Sequence, residues 1–296
     1  VALREKFVKI VKKKIENFIF KSFGVKYSIC SRCGHLNGER LENEIFFKKL
    51  YTKGTGQKNI EKNYKKSFDQ KVKKIYLSKA KFLKKVIKKK IHVLDIGSGG
   101  GHFLKALELL NIPARGYEPN KFLSNLGQKK LKSNYLFNES FTNVNEKILS
   151  EKKANTLSMI GVLEHVDKPE IFMNTFKKSN MKYLYISVPL FSINSIFENS
   201  FSQIYPRHLS GGHTHLYTKK SLYFLANKFN LKIIGEWWFG TDIADLYRSI
   251  LVSSKSLDKV KYKKIVDENL YSVLDEIQNI FDKKKIFKQV HMIFKK

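Results

Sequence analysis

A glycine-rich turn between an apolar run and a helical stretch constrains the fold of this chain more than any other feature. Residues 91–96 (IHVLDI) have the pattern of a short buried strand, the turn at 97–101 (GSGGG) follows, and a helical stretch runs to Leu110. Glycines in such a turn allow the backbone to approach a ligand closely. In open α/β sheets, ligands bind beyond the carboxyl ends of the strands. The turn at 97–101 is therefore the first candidate for a binding site.

Strand patterns alternate with helix patterns along the middle of the chain. The predicted strands cover residues 91–96, 114–118, 135–137, 155–160, 182–188 and 231–234, and the predicted helices cover 102–110, 120–132, 169–179 and 221–229. This alternation is typical of a parallel sheet with helices on both faces. The sequence predicts an α/β protein with a Rossmann-like sheet.

Two lysine-rich flanks on either side of this region are predicted to be helical. Residues 1–90 are interpreted as a helical extension with a Cys-x-x-Cys turn, residues 91–250 as the ligand-binding domain and residues 251–296 as a helical segment. Apolar residues at spacings of three and four, with lysines between them, predict a basic amphipathic helix that starts at residue 1 and ends near Gly24. Such a helix either packs on the domain or lies on a membrane surface, and both interpretations stay open.

The chain carries a formal net charge of +31, from 57 Lys and Arg against 26 Asp and Glu. This surplus can attract nucleic acid, lipid head groups or a phosphorylated substrate. Only six of the cations are Arg, the side chain that phosphate and base recognition favours, so a codon bias toward Lys is the alternative explanation. The sequence contains no run of about 18 apolar residues, so no membrane-spanning helix is predicted. We expect a cytoplasmic protein, with peripheral contact to the inner membrane face through residues 1–24 as an option.

The only two cysteines, Cys30 and Cys33, stand in the sequence Cys-Ser-Arg-Cys-Gly-His. Two cysteines exclude a disulfide-stabilised scaffold. Their spacing can present two thiolates to zinc, with His35 as a third ligand, but a fourth ligand is not visible in the sequence. A reduced turn without metal is the alternative interpretation.

The spacing of the glycines argues against a dinucleotide ligand. A dinucleotide fingerprint requires G-x-G-x-x-G, and here His102 occupies the third glycine position. An acid, Asp95, ends the strand before the turn, where it would repel a pyrophosphate and attract a cationic group. A second acid, Glu118, ends the next predicted strand, where a carboxylate can accept hydrogen bonds from the hydroxyls of a ribose.

These residues resemble motifs of the class I S-adenosylmethionine-dependent methyltransferases. Residues 93–101 (VLDIGSGGG) look like motif I of that family, and residues 116–119 (GYEP) are similar to motif II. Residues 161–166 (GVLEHV) resemble the LEHV signature of the subgroup that includes ubiquinone-biosynthesis O-methyltransferases and many sugar and small-molecule methyltransferases. Residues 206–218 are similar to the segment before the penultimate helix in that subgroup.

The resemblance implies S-adenosylmethionine as the cofactor and assigns contacts to it. The glycine turn would follow the methionine part, Asp95 would orient that part, and Glu118 would hold the ribose. An acid after the third strand would lie beside the adenine, and residues after the fourth strand would border the cofactor. The cofactor-binding residues implied in this way are Asp95, Gly97, Gly99, Gly101, Glu118, Pro119, Glu139, Ser140, Ile160 and Gly161.

Histidines are the candidate catalytic residues. Transfer to a hydroxyl needs a base, and imidazole is the usual choice near neutral pH, whereas an acceptor that is already acidic needs none. We expect the base or a substrate contact at His213 or His215, which share one face if their segment is extended, with His165 as a further candidate and His208 at the mouth of the pocket. Three histidines within residues 208–215 can also bind a metal, but metal use is uncommon in the subgroup and no metal is predicted.

The resemblance implies methyl transfer to a small-molecule or glycan acceptor, most often at oxygen, as in polysaccharide biosynthesis. The acceptor would be a sugar or a nucleotide-linked or lipid-linked intermediate, phosphorylated forms included. An RNA methyltransferase would fit the charge, but the Asn/Asp-Pro-Pro-aromatic loop typical of base amino-group methylation is missing after strand four, which disfavours a nucleic-acid partner. A non-catalytic, membrane-associated module with the same fold is the other alternative, and it would use residues 1–24.

Overall fold

A computed structural model describes residues 19–22, 24–40, 64, 67–166, 168–201, 208–209, 212–255 and 257–296. The strands are β1 (Ile19–Ser22), β2 (Val25–Ile29), β3 (Leu36–Arg40), β4 (Val93–Ile96), β5 (Ala114–Glu118), β6 (Tyr135–Asn138), β7 (Thr156–Ile160), β8 (Tyr183–Pro189), β9 (His215–Leu216), β10 (Lys232–Phe239) and β11 (Gln289–Lys295). The helices are α1 (Leu77–Val86), α2 (His102–Glu108), α3 (Lys121–Gln128), α4 (Val144–Ser150), α5 (Pro169–Lys178), α6 (Ile193–Ser200), α7 (Lys219–Lys228), α8 (Asp242–Ser253), α9 (Lys259–Leu270) and α10 (Leu274–Lys283). A π-helical stretch, Val72–Tyr76, leads into α1.

Seven strands form the central sheet, in the order β10-β11-β8-β7-β4-β5-β6. The pairs from β8 to β6 are parallel, and β11 is antiparallel to both of its neighbours. From β4 the chain proceeds to β5 and β6 on one side, and then crosses to β7 and β8 on the other. The strand order therefore reverses at β4, which is the position where open α/β sheets bind ligands. The predicted Rossmann-like α/β fold is confirmed.

The central strands are apolar because both faces of the sheet are covered. All seven residues of β8 and all four of β4 are buried. On one face, Leu94 packs with Phe176 of α5 and Leu225 of α7. On the opposite face, Val93 packs with Leu83 of α1 and with residues of α2. Since side chains alternate along a strand, Asp95 lies on the face of α1 and α2.

The helical prediction for residues 251–296 is wrong at its end. Helices α9 and α10 form, but β11 then inserts between β8 and β10, with Val290 opposite Val188 and Met292 opposite Ile186. Five consecutive residues of β11 are buried, from Val290 to Phe294. A helix on the surface buries only one stripe, whereas a central strand buries both faces, so this short apolar run suits a strand.

The helical prediction for residues 1–90 is also wrong in part. Residues 19–40 form three antiparallel strands, and β9 pairs with β3 to complete a second sheet of order β1-β2-β3-β9. Gly24 adopts a φ of 75° in the turn between β1 and β2, where it ends a strand rather than a helix. Residues 67–86 are helical as predicted. The predicted membrane contact of residues 1–24 falls mostly on residues outside the described part of the chain.

The Cys-x-x-Cys turn joins β2 to β3. Cys30 and Cys33 are both buried and both are free thiols. His35 points instead to His215, with 3.1 Å between its Nε2 and Nδ1 of His215. Among the described helices, none is long and apolar enough to cross a membrane.

Candidate active site

The glycine turn leaves β4 in a backbone conformation that favours glycine. Gly97 and Gly99 have φ values of 70° and 53°. A Cβ on Gly97 would lie 2.6 Å from Cγ2 of Val162, so the turn packs closely against the segment after β7. A Cβ on Gly99 would meet no atom within 4 Å. The turn is therefore tight on one side and open on the other, and the open side offers room for a ligand.

Glu118, at the end of β5, is held against this turn. Its Oε2 accepts a hydrogen bond from the backbone N–H of Gly99 at 2.7 Å, and its Oε1 accepts one from the N–H of Asn120 at 2.9 Å. The side chain is buried, and burial raises its pKa although both hydrogen bonds act in the opposite direction. Each carboxylate oxygen can accept more than one hydrogen bond, so a ribose hydroxyl can still bind there.

Asp95, at the end of β4, has a partner that the sequence analysis did not identify. The Oγ of Ser158 donates a hydrogen bond to Oδ1 of Asp95, because β4 and β7 are in register with these two residues opposite each other. Burial raises the pKa of Asp95 to about 6, while the hydrogen bond from Ser158 and the charge of Lys79 lower it. The only signal for Ser158 in the sequence is a polar residue within a buried strand.

Lys79 is a second residue that sequence reasoning missed. It lies on α1 with its Nζ 4.7 Å from the centre of the Tyr76 ring. Burial lowers its pKa to about 8, and the carboxylates of Asp95 and Glu164 oppose this effect. This partly buried cation thus lies within electrostatic reach of two acids, Asp95 and Glu164. The chain has 57 cationic residues, and the sequence distinguishes Lys79 from the others only by its position beside the apolar stripe that includes Ala80 and Leu83.

Aromatic residues that precede α1 cover the turn. The hydroxyl of Tyr64 donates a hydrogen bond to the carbonyl of Gly100. The ring of His102 lies against Tyr64, Phe68 and Tyr76, with centroids 5.2, 4.5 and 5.2 Å away. Burial lowers the pKa of His102 to about 4, so this histidine is neutral at physiological pH. Among the described residues, this cover includes the ring packing on His102 and the hydrogen bond that anchors Tyr64.

The remaining predicted cofactor residues lie at the same edge of the sheet. The carbonyl of Pro119 accepts a hydrogen bond from Nδ2 of Asn138 at 3.0 Å. Glu139 pairs with Lys147 at 3.0 Å and has a lowered pKa because Asn143 and Lys147 donate to it. Ser140 follows it and caps a short 3-10 turn.

Ile160 ends β7, and the next residue, Gly161, adopts a φ of 71° and donates its N–H to the carbonyl of Ser187 at 2.9 Å. The structure therefore brings the ends of β4, β5, β6 and β7 together, with all ten predicted cofactor residues along them.

Two of the predicted catalytic histidines lie together. His165 ends a 3-10 turn after β7, and His213 approaches from the segment before β9, with 4.8 Å between the ring centroids. Nδ1 of His165 is 2.8 Å from the carbonyl oxygen of Gly212, and Nδ1 of His213 is 2.9 Å from that of His208. The N–H of Thr214 donates to the carbonyl of Glu164 at 2.7 Å and ties the two segments together.

Glu164 joins these histidines, and we call Glu164, His165 and His213 the Glu-His-His cluster. One potential ligand atom from each residue lies within 4.8 Å of the other two. Glu164 is buried, its Oε2 has no hydrogen-bond partner among the described residues, and burial raises its pKa to about 8. In the sequence, the only signal for Glu164 is its place in the LEHV signature, which assigns it no role.

The imidazole rings of His215 and His208 contact residues outside the cluster. The ring of His215 stacks on His35 with centroids 5.3 Å apart, within the second sheet. His208 directs its Nδ1 to Oγ of Ser195 at 3.2 Å. His213 contacts His165 after β7, whereas His215 contacts His35 and pairs with Asn37 of β3, so the two imidazoles have different partners.

Comparison with known proteins places this geometry among methyltransferases. A family model described as a methyltransferase domain matches residues 68–236, more than half of the chain. No curated protein matches the sequence. A magnesium protoporphyrin IX methyltransferase from Synechocystis PCC 6803, solved with bound S-adenosylhomocysteine, is 11% identical with a TM-score of 0.50, covering 68% of this chain and 94% of that one. A SAM-dependent methyltransferase from Archaeoglobus fulgidus is 16% identical with a TM-score of 0.45, covering 86% of this chain and 100% of that one.

Proposed function

This chain belongs to the methyltransferase-domain family, and we propose that it moves the methyl group of S-adenosylmethionine to an oxygen atom of a small-molecule or glycan acceptor. Membership of this family identifies the protein as an S-adenosylmethionine-dependent methyltransferase. The sulfonium of the bound cofactor supplies an electrophilic methyl group. The protein then has to position the cofactor and the acceptor and to receive a proton when the acceptor is a hydroxyl.

The residues at the glycine turn fit this cofactor. Glu118 is fixed where it can accept from the ribose hydroxyls, and the open side of Gly99 leaves room for the chain of the methionine part. Asp95 offers a negative charge to the cationic part of the cofactor. Lys79 offers the matching positive charge for the methionine carboxylate, beside Asp95 on the same face of the sheet. The residues after β6, Glu139 and Ser140, are assigned to the adenine side.

The Glu-His-His cluster supports the assignment of the acceptor side. Two of its members, Glu164 and His165, lie in the short turn that follows β7, next to the strand end that borders the cofactor. A carbonyl oxygen cannot donate a hydrogen bond, so Nδ1 of His213 carries the proton toward His208 and Nε2 is the basic nitrogen. We assign the acceptor's hydroxyl proton to Nε2 of His213, with His165 beside it. We assign no catalytic role to His215, because it packs into the second sheet.

The charge of the chain supports an anionic acceptor. A nucleotide-linked or lipid-linked sugar carries phosphate, and the net charge of +31 would attract it. Such intermediates belong to polysaccharide biosynthesis in the cytoplasm, which is where we place the reaction. The RNA alternative has the same electrostatic support, but the Asn/Asp-Pro-Pro-aromatic loop typical of base amino-group methylation is missing after the fourth predicted strand.

The observation that carries the proposal is the hydrogen bond between Glu118 and Gly99. The test is isothermal titration of the protein with S-adenosylmethionine and S-adenosylhomocysteine, followed by incubation of the protein and labelled cofactor with a panel of nucleotide sugars, lipid-linked sugars and RNA. We expect saturable binding of both cofactor forms and label transfer to a sugar. An absence of cofactor binding would refute the assignment, and transfer to RNA alone would replace the acceptor class.

A further inference from the structure

We propose that Glu164, His165 and His213 form a binding site for a divalent transition-metal ion such as Zn²⁺. The site is built from two segments far apart in the chain, the turn after β7 and the segment before β9. The inference deepens the proposed function, because the ion would lie where the acceptor is placed. Binding of the ion itself depends only on the three side chains.

The spacing of the three side chains suits a single ion. Ligand atoms about 2.1 Å from one ion in a tetrahedral site lie about 3.4 Å from each other. The three candidate atoms already lie within 4.8 Å of one another without an ion. Each pair of these atoms is therefore at most about 1.4 Å farther apart than in a tetrahedral site. The backbone hydrogen bond from Thr214 to Glu164 holds the two segments at this separation.

The orientation of both histidines is the one that metal ligands require. Histidine ligands usually donate their second ring N–H to a carbonyl or carboxylate, which fixes the tautomer and leaves the other nitrogen to the metal. Here Nδ1 of His165 faces the carbonyl of Gly212 at 2.8 Å, and Nδ1 of His213 faces the carbonyl of His208 at 2.9 Å. In each ring, Nε2 is then the nitrogen with the lone pair.

Glu164 supplies an independent observation. Its side chain is 4% exposed, and its Oε2 has no hydrogen-bond partner in the part of the chain that the structure describes. A buried carboxylate oxygen without a partner costs free energy, and an ion is one of the few ligands that compensate it. The positive charge of Lys79 acts on Glu164, but it acts on Asp95 as well. No hydrogen bond joins Lys79 to Glu164, so Lys79 does not supply the partner that Oε2 of Glu164 lacks.

The donor set indicates the kind of ion. One carboxylate oxygen with two imidazole nitrogens suits Zn²⁺, Fe²⁺ or Co²⁺, whereas Mg²⁺ and Ca²⁺ prefer oxygen ligands alone. Three protein ligands leave a coordination position open, as in catalytic rather than structural zinc sites. With an ion bound, Nε2 of His213 would be a ligand and no longer the base. The ion would take over this task, because it would lower the pKa of an acceptor hydroxyl at the open position so that the hydroxyl loses its proton to solvent.

The experiment titrates the chelator-treated full chain with Co²⁺ and with Zn²⁺, using visible absorption of Co²⁺ and calorimetry as readouts. We expect one equivalent to bind, and no sulfur-to-cobalt charge-transfer band, which separates this site from Cys30 and Cys33. Glu164→Gln and His213→Ala should each weaken binding about tenfold or more. The matched controls, Glu170→Gln and His92→Gln, change an acid and a histidine outside the cluster and should bind as the unaltered protein does.

Thermal unfolding of each variant shows whether it is folded, and a titration with S-adenosylmethionine runs in parallel. If the unaltered protein binds neither ion, or if the cluster variants bind as tightly as the controls, the metal site is refuted. Intact cofactor binding in that case would leave the proposed methyl transfer standing. If the metal binds and the cofactor does not, the proposed function fails while the metal site stands.

Discussion

The backbone N–H of Gly99 and the carboxylate of Glu118 form a 2.7 Å hydrogen bond that joins the glycine turn after β4 to the end of β5. The other oxygen of this carboxylate accepts a hydrogen bond from the N–H of Asn120, the N-cap residue of α3. One buried side chain thus sets the relative position of two loops at the point where the strand order reverses. This hydrogen bond therefore fixes one wall of the proposed cofactor pocket.

Glu118→Gln should weaken S-adenosylmethionine binding about tenfold or more. An amide nitrogen cannot accept the N–H of Gly99 or a ribose hydroxyl, and a hydrogen bond to a charged group is worth roughly 1.5–3 kcal/mol. Calorimetric titration measures the change. Glu170→Gln, an acid that pairs with Lys228 at the surface, is the control and should leave the affinity unchanged. Equal affinities for both variants would contradict the ribose role.

Alanine at Gly97 and at Gly99 should have different effects. At Gly97, the new Cβ would lie 2.6 Å from Val162, so we expect a loss of stability visible as a lower melting temperature. At Gly99, a Cβ meets nothing within 4 Å, so only the left-handed backbone costs free energy, about 1 kcal/mol. The Gly99→Ala methyl instead enters the space that we assign to the cofactor. A stable Gly99→Ala variant with unchanged cofactor affinity would argue that the cofactor binds elsewhere.

Cofactor binding should strengthen as the pH rises through about 6, the pKa to which burial raises Asp95. The ionised carboxylate attracts the cationic part of the cofactor, and the protonated acid does not. The stability of the cofactor-free protein should change with pH in the opposite direction, since the folded state binds this proton more tightly than the unfolded chain does. Its stability is then highest at low pH and falls between about pH 4 and 6, as far as Asp95 is concerned.

Asp95→Asn provides the check on both trends. It removes the titrating group while keeping the size of the side chain, so both the affinity and the stability should lose their dependence on pH in this range. Titrations and melting curves at pH 5 and pH 7 measure the two slopes. The assignment fails if the slopes of Asp95→Asn match those of the unaltered protein.

Lys79→Met should weaken binding of S-adenosylmethionine but not of 5′-methylthioadenosine, which lacks the carboxylate that we pair with Lys79. Lys81→Met, on the exposed side of the same helix, is the matched control and should bind both compounds normally. Competition binding with the two compounds measures the difference. A parallel loss of both affinities would indicate that Lys79 supports the pocket rather than the carboxylate.

A chain that ends at Lys288 should fail to fold. The truncation removes β11, which pairs with β8 on one side and β10 on the other, and with it the buried side chains of Val290, Met292 and Phe294. A truncation at an edge strand would expose one edge, whereas this one separates the sheet into two pieces. Soluble expression and circular dichroism test the outcome, and a folded truncated protein would contradict the central position of β11.

Local patterns were enough to predict most of the sheet. The apolar run of β4, the glycine turn and α2 are contiguous in the chain. Glu118 is likewise contiguous with the rest of β5, which it ends. These features follow from the hydrophobic period and from backbone constraints over a few residues. The predictions for the two ends of the chain fail because lysine-rich helical patterns surround two segments, at 19–40 and 289–295, that form strands. In the first segment β1, β2 and β3 pair with one another and β3 also pairs with the distant β9, and in the second β11 pairs with the distant β8.

From the amino-acid order alone, the fold class, the glycine turn and the two acids beside it could be derived, because each depends on residues close together in the chain. The pairing of Ser158 with Asp95, the approach of Lys79 and the meeting of Glu164 and His165 with His213 could not. Those contacts depend on strand register and on which helix covers which face of the sheet. Both are settled by the packing of the whole core, in which residues many positions apart become neighbours.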